Sequence, residues 1–231
     1  MIVVAEQYAG PPGRAHGGYL AGLLVDHLGD ATVTLLEPVP TGVPLVLERA
    51  PVRDRVYAEG ELVATATHRV PPIIDVPPVP ERTARAAEAR FAGRHGHPFP
   101  SCFVCGTDPD RPLALDIAPG PVGGGLVACT WTPDRSLAAE DGLVPPALVR
   151  AALDCPGGWT LDPVAEPVVL STFAARVGTV RAGECHVLVA AAERRRGRMA
   201  AVHISMYAPD GRQTGSARAT WLAVDEGVRH R

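Results

Sequence analysis

The tightest constraint on this chain is that one order of elements occurs in it twice. Residues 2–5 read as a strand, 8–15 as a Gly/Pro loop, and 17–28 as an apolar helix with Leu20, Leu23, Leu24 and Leu28 on one face. Gly29-Asp30 ends that helix, and β-rich runs follow at 31–37, 43–49, 53–58 and 61–70. After a Pro-rich stretch the order returns. Strands are expected at 113–117 and 125–131, a loop at 132–144 and a proline-opened helix at 145–154, ended by Gly157-Gly158. Strands at 167–177, 183–194, 198–207 and 214–224 complete it, with a turn at Pro209-Asp210-Gly211. Aligning Gly18 with Pro146 brings Asp26 onto Asp154 without a gap. Such a duplication points to two similar α+β units, residues 1–75 and 101–231. Residues 76–100 form a Pro-rich connector whose Pro80 opens a polar helix reaching Gly93.

The residue inventory removes several chemistries. All 22 basic residues are arginine, and the chain contains neither lysine nor asparagine. A lysine Schiff base, a lysine-dependent phosphate loop and N-glycosylation are therefore excluded. The formal net charge is −3, and the only dense basic run, Arg194-Arg195-Arg196, reads as a strand end or turn. No nucleic-acid partner is expected. The start, Met1-Ile2-Val3-Val4-Ala5-Glu6, lacks a basic flank and does not read as a signal peptide. No apolar run approaches the ~18 residues of a membrane span. Five cysteines without a secretion signal are expected to be reduced thiols in the cytoplasm.

Three stretches carry chemistry. His16-Gly17-Gly18 sits where a loop enters the first helix, where backbone N–H groups lack intrahelical partners and glycine admits close approach. An oxygen gaining negative charge could be held there. Cys102-Phe103-Val104-Cys105 is a Cys-x-x-Cys with His95 and His97 upstream, which offers either four zinc ligands or two thiols packed at a tight strand entrance. With no second Cys-x-x-Cys present, no metal or other cofactor is expected. Asp154-Cys155 ends the second helix: Asp154 as an acid or a turn residue, Cys155 as a less favoured nucleophile.

In the order His16-Gly17-Gly18-Tyr19-Leu20-Ala21, Cys102-Phe103-Val104-Cys105-Gly106 and Leu153-Asp154-Cys155-Pro156-Gly157-Gly158-Trp159, the chain resembles tandem hotdog-fold proteins of the acyl-CoA thioesterase superfamily. The resemblance implies two tandem hotdog domains, each an antiparallel sheet wrapped around a long central helix, joined as an intramolecular pseudo-dimer. It also implies composite sites between the halves, where the amides at one helix start face an acid on the other helix. One such site would combine His16, Gly17 and Gly18 with Asp154. The other would combine Pro145 and Pro146 with Asp26, and proline has no N–H to offer. One working site and one degenerate site are therefore expected.

Family members of the double type orient their acid with a threonine and a glutamine. The glutamine has no counterpart here, so Ser171, Thr172, Ser216 and Thr220 are the candidates. Tyr19 and Trp159 flank the helix ends and are expected to line an acyl tunnel, with Ser171 and Thr172 beside the substrate. The implied function is hydrolysis of an acyl thioester, a coenzyme A ester, with further homodimerisation through sheet edges. The alternative is an inactive hotdog module that binds an acyl thioester or a partner protein. Hydratase chemistry fits less well, because Asp26-His27 lies at the far end of the helix from the glycine loop.

Overall fold

The computed structural model describes residues 1–193 and 195–224, so Arg194 of the basic run lies outside the described residues. Among the described residues, eleven strands form one continuous sheet. They are β1 Ile2–Val3, β2 Thr32–Leu35, β3 Pro44–Glu48, β4 Arg53–Ala58, β5 Glu61–Thr67, β6 Gly120–Gly123, β7 Leu126–Trp131, β8 Val168–Val177, β9 His186–Ala192, β10 Met199–Tyr207 and β11 Gln213–Ala223. The helices are α1 Gly17–Leu28, α2 Glu81–Glu88 and α3 Pro146–Gly158.

The strand order is β1-β3-β4-β5-β2-β8-β11-β10-β9-β7-β6, with every pair antiparallel. The order reads as a mirror about the β2–β8 seam. α1 and α3 are each followed by a strand at the seam, β2 and β8, and β5 and β11 pair with these. The seam is short, pairing Val33 with Phe173 and Thr34 with Thr172.

The two faces of the sheet are covered differently, as the two-residue side-chain period of a strand allows. On β9, Leu188 and Ala190 point into the main core with α3, while Val187 and Val189 join Val76 and Ala84 on the other face. The connector lies on that second face. Ser205 Oγ accepts from the Val76 amide at 2.9 Å, and the Tyr207 hydroxyl donates to the Val76 carbonyl at 2.6 Å.

α1 and α3 pack against one another and against β8 beneath the main sheet face. Their approach depends on missing side chains. A Cβ on Gly18 would lie 2.5 Å from Asp154 Cβ, and one on Gly22 would lie 2.6 Å from Ala147 Cα. Gly18 thus faces the end of α3 and Gly22 faces its start, so the helices run antiparallel.

Three sequence expectations need correction. Residues 113–117 form no strand. They run as a loop whose Leu115 and Ile117 amides donate to the Phe103 and Val104 carbonyls, and Asp116 takes a positive φ of 56°. The strand lies later, at β6, in a Gly/Pro-rich stretch with little apolar alternation. The second helix does not stop at Asp154 but continues through Pro156, Gly157 and Gly158. All three are buried, and the two glycines let Trp221 lie directly on the helix. The polar helix from Pro80 ends at Glu88, and a short 3-10 turn at Ala92–His95 follows.

Candidate functional site

α1 starts at the wall of a cavity of about 500 Å³. Leu20, Leu35, Phe99, Trp159, Leu170 and Trp221 make much of the wall apolar, while His16, Gly17, Asp154 and Cys155 supply a polar end.

His16 is the N-cap of α1, and its Nδ1 accepts from the Tyr19 amide at 3.3 Å. The Gly18 amide donates to Asp154 Oδ2 at 2.9 Å, across 136 residues of sequence. Leu20 N–H bonds back to the His16 carbonyl. Gly17 is the exception in this first turn: it lines the cavity, and its N–H has no protein partner among the described residues. A helix N-terminus with one unpaired donor favours partial negative charge.

Asp154 is 1% exposed. Oδ2 is held by Gly18 and stands 3.6 Å from His16 Nδ1, whereas Oδ1 is buried without a hydrogen-bond partner among the described residues. Burial pushes the Asp154 carboxyl up to about 6, against the His16 charge and the Gly18 N–H, which both lower it. Burial opposes protonation of His16, but its hydrogen bond with Cys102 and the negative charge around it prevail, and the imidazole is raised.

The equivalent position in the first unit differs. Asp26 is a partly exposed carboxylate whose Oδ1 pairs with Arg150 Nη1 at 3.4 Å. α3 starts at Pro145-Pro146, which offers no N–H at either residue.

Of the other expected site residues, Trp159 and Ser171 line the cavity. Tyr19 does not; it stacks on Tyr8 with ring centroids 4.0 Å apart. One residue further along a helix turns the side chain by about 100°, which carries Tyr19 away from the side that Gly17 and Leu20 present. Thr172 is committed to the seam, opposite Thr34. Among the described residues, none of Ser171, Thr172, Ser216 and Thr220 hydrogen-bonds Asp154; Gly18 and His16 are the polar groups beside it.

Sequence reasoning did not anticipate the thiol cluster at this end of the cavity. His16 Nε2 lies 3.2 Å from Cys155 Sγ, and Cys102 Sγ lies 3.9 Å from Cys155 Sγ and 3.8 Å from Cys105 Sγ. Hydrogen bonds from Cys105 and Cys155, with a further contribution from His16, hold the Cys102 thiol well below its ordinary range. Burial pushes Cys155 and Cys105 upward. The Cys-x-x-Cys spacing was the one sequence signal for this cluster; His16 and Cys155 join it only through the fold.

No family model matches this sequence, and no curated protein does. Solved structures do match. A candidate thioesterase from Novosphingobium aromaticivorans is 16% identical and aligns over 97% of this chain and 94% of its own, with a TM-score of 0.62. Smaller structures align over about half of the chain. The PaaI protein of the E. coli phenylacetic acid degradation operon is 12% identical over 48% of this chain and 81% of its own, at TM-score 0.44. A Streptococcus mutans protein solved with acetyl-CoA is 11% identical over 43% and 82%, at TM-score 0.41. The chain has the hotdog fold of thioesterase-superfamily structures. Among the described residues, no helix is long and apolar enough to cross a membrane.

Proposed function

We propose that this chain is an acyl-thioester hydrolase acting on coenzyme A esters, built as two tandem hotdog units with one composite site between them. One observation carries the proposal: a buried carboxylate on α3 is gripped by an amide at the start of α1, its second oxygen has no hydrogen-bond partner among the described residues, and Asp154 lines the apolar cavity. Asp154, near 6, is largely ionised at neutral pH and serves as the base. It takes a proton from water as that water attacks the thioester carbonyl. The oxyanion that forms is held by the Gly17 amide at the positive end of α1. Collapse of the tetrahedral intermediate breaks the C–S bond, and Asp154 returns the proton to the leaving thiolate. Trp159 and the leucines shelter the acyl chain. His16 caps the helix and keeps the Asp154 environment polar. The unbridged thiols suit a reducing compartment such as the cytoplasm.

A second function, acyl-thioester binding without turnover, is favoured by a specific observation. At 2.9 Å, the Gly18 amide is already satisfied by Asp154, which removes one of the two glycine donors. Hydrolysis of a panel of short, long and aromatic acyl-CoAs, read by thiol release, separates the two. The hydrolase turns over at least one member. The binding module turns over none, while acyl-CoA still raises its melting temperature.

A further inference from the structure

We propose that His16, Cys102 and Cys155 form a site for one tetrahedrally bound divalent cation of the zinc class, set into the polar end of the cavity, with Cys105, beside Cys102 but outside that compact trio, swinging in as the fourth ligand. The ligand atoms of His16, Cys102 and Cys155 all lie within 4.8 Å of one another, and all three residues are buried. Two sulfurs bound at about 2.3 Å to a tetrahedral zinc lie about 3.8 Å apart. The Cys102–Cys105 and Cys102–Cys155 separations are 3.8 and 3.9 Å. His16 Nε2, 3.2 Å from Cys155 Sγ, stands a little inside the roughly 3.5 Å nitrogen–sulfur edge of the same polyhedron.

The loop is shaped for two thiolates. The Gly106 amide bonds the Cys102 carbonyl at 2.8 Å, closing a tight turn over Cys102–Cys105. A Cβ at Gly106 would fall 2.2 Å from the Pro100 carbonyl oxygen and 2.4 Å from that of Cys102, so the turn admits only glycine. Burying three thiolates and a dication leaves one net negative charge. Arg111, its side chain nearly buried, donates from Nη1 to the Cys102 carbonyl at 3.1 Å and from Nη2 to Asp116 at 3.0 Å, which fixes a guanidinium beside the loop.

The two histidines divide their roles by hydrogen bonding. His97 Nδ1 accepts from the Phe99 amide at 2.9 Å, so its proton sits on Nε2, 3.3 Å from Cys105 Sγ. His97 is therefore an N–H donor to a bound thiolate, not a ligand. At His16, ligation through Nε2 moves the ring proton to Nδ1, which faces Asp154 Oδ2 at 3.6 Å. The longer 3.3 Å contact from the Tyr19 amide is the bond given up. A carboxylate behind a ligating imidazole is the usual supporting arrangement at such sites. His95 is exposed and takes no part. Binding releases the thiol protons to solvent and changes no oxidation state.

The test is metal content and Co²⁺ titration of the full-length protein, purified and kept under reductant, with far-UV circular dichroism to check the fold of each variant. Wild type is expected to carry about one zinc per chain. After chelation it is expected to develop thiolate-to-cobalt charge-transfer and strong visible d–d bands that Zn²⁺ abolishes. Cys155→Ser and His16→Ala lose or shift these bands, while His97→Ala keeps them and binds about 10–100-fold more weakly. Reduced wild-type protein with neither zinc nor cobalt bands overturns the site and leaves a hydrogen-bonded thiol network. Bands lost in Cys102→Ser but unchanged in both Cys155→Ser and His16→Ala overturn this ligand set in favour of one confined to the loop. Neither readout depends on the protein hydrolysing anything.

Discussion

At the residue scale, the Gly18–Asp154 contact is the most specific feature of the molecule, and part of it was legible. With Gly18 paired to Pro146 and Asp26 to Asp154 along the repeat, the family resemblance set each helix start against the other helix's acid. The amide-to-carboxylate bond follows that logic. The partners of Asp154 were not legible: none of the strand hydroxyls sought for it hydrogen-bonds it, and a helix cap stands beside it instead. The thiol cluster was hidden for a related reason. Cys155 meets His16 across 139 residues and Cys102 across 53, and no local spacing encodes such meetings. Gly18→Ala tests the contact directly. Its methyl would sit 2.5 Å from Asp154 Cβ and 2.9 Å from the Arg150 carbonyl oxygen. Overpacking of this kind costs about 1–3 kcal/mol, read as a lowered midpoint in thermal unfolding. An unchanged midpoint would mean that the helices separate freely here.

At the element scale, α1 was readable end to end, because its glycine entry, its leucine period and the stop at Gly29 (φ 83°) agree. The end of α3 was misread because Pro156-Gly157-Gly158 has the composition of a stop. Tertiary packing overrides that propensity: the glycines make room for Trp221, and Pro156 is accommodated in the last turns. The helix pair is the stronger tie between the units, since the sheet seam contributes only the Val33–Phe173 and Thr34–Thr172 pairs. Gly22→Val places a branched side chain where even a methyl would meet Ala147 backbone at 2.6 Å. Backbone cannot retreat as a flexible side chain can. The substitution is expected to cost more than Gly18→Ala, roughly 3 kcal/mol or above, measured by denaturant unfolding. A smaller loss than Gly18→Ala would show that the close crossing at Gly22 is not what joins the halves.

At the scale of the whole molecule, the strand order is mirrored about the β2–β8 seam: β3, β4 and β5 pair in sequence, as do β9, β10 and β11, while β2 and β8 meet edge to edge. The same symmetry that builds two helix starts and two acids leaves them unequal in this sequence. One start is His16-Gly17-Gly18, facing a buried Asp154. The other is Pro145-Pro146, without amide donors, and its Asp26 is 40% exposed at the side chain and tied to Arg150. The central claim is that catalysis resides in the first of these alone. The measurement is acyl-CoA hydrolysis by wild type, Asp154→Asn and Asp26→Asn, side by side on the best substrate of the panel. Asp154→Asn should fall by about 100-fold or more, the usual loss of a general base. Asp26→Asn should keep the wild-type rate and lose under about 1 kcal/mol of stability, since its ion pair is partly exposed. Equal activity in all three proteins, or a loss confined to Asp26→Asn, would contradict the single site at Asp154.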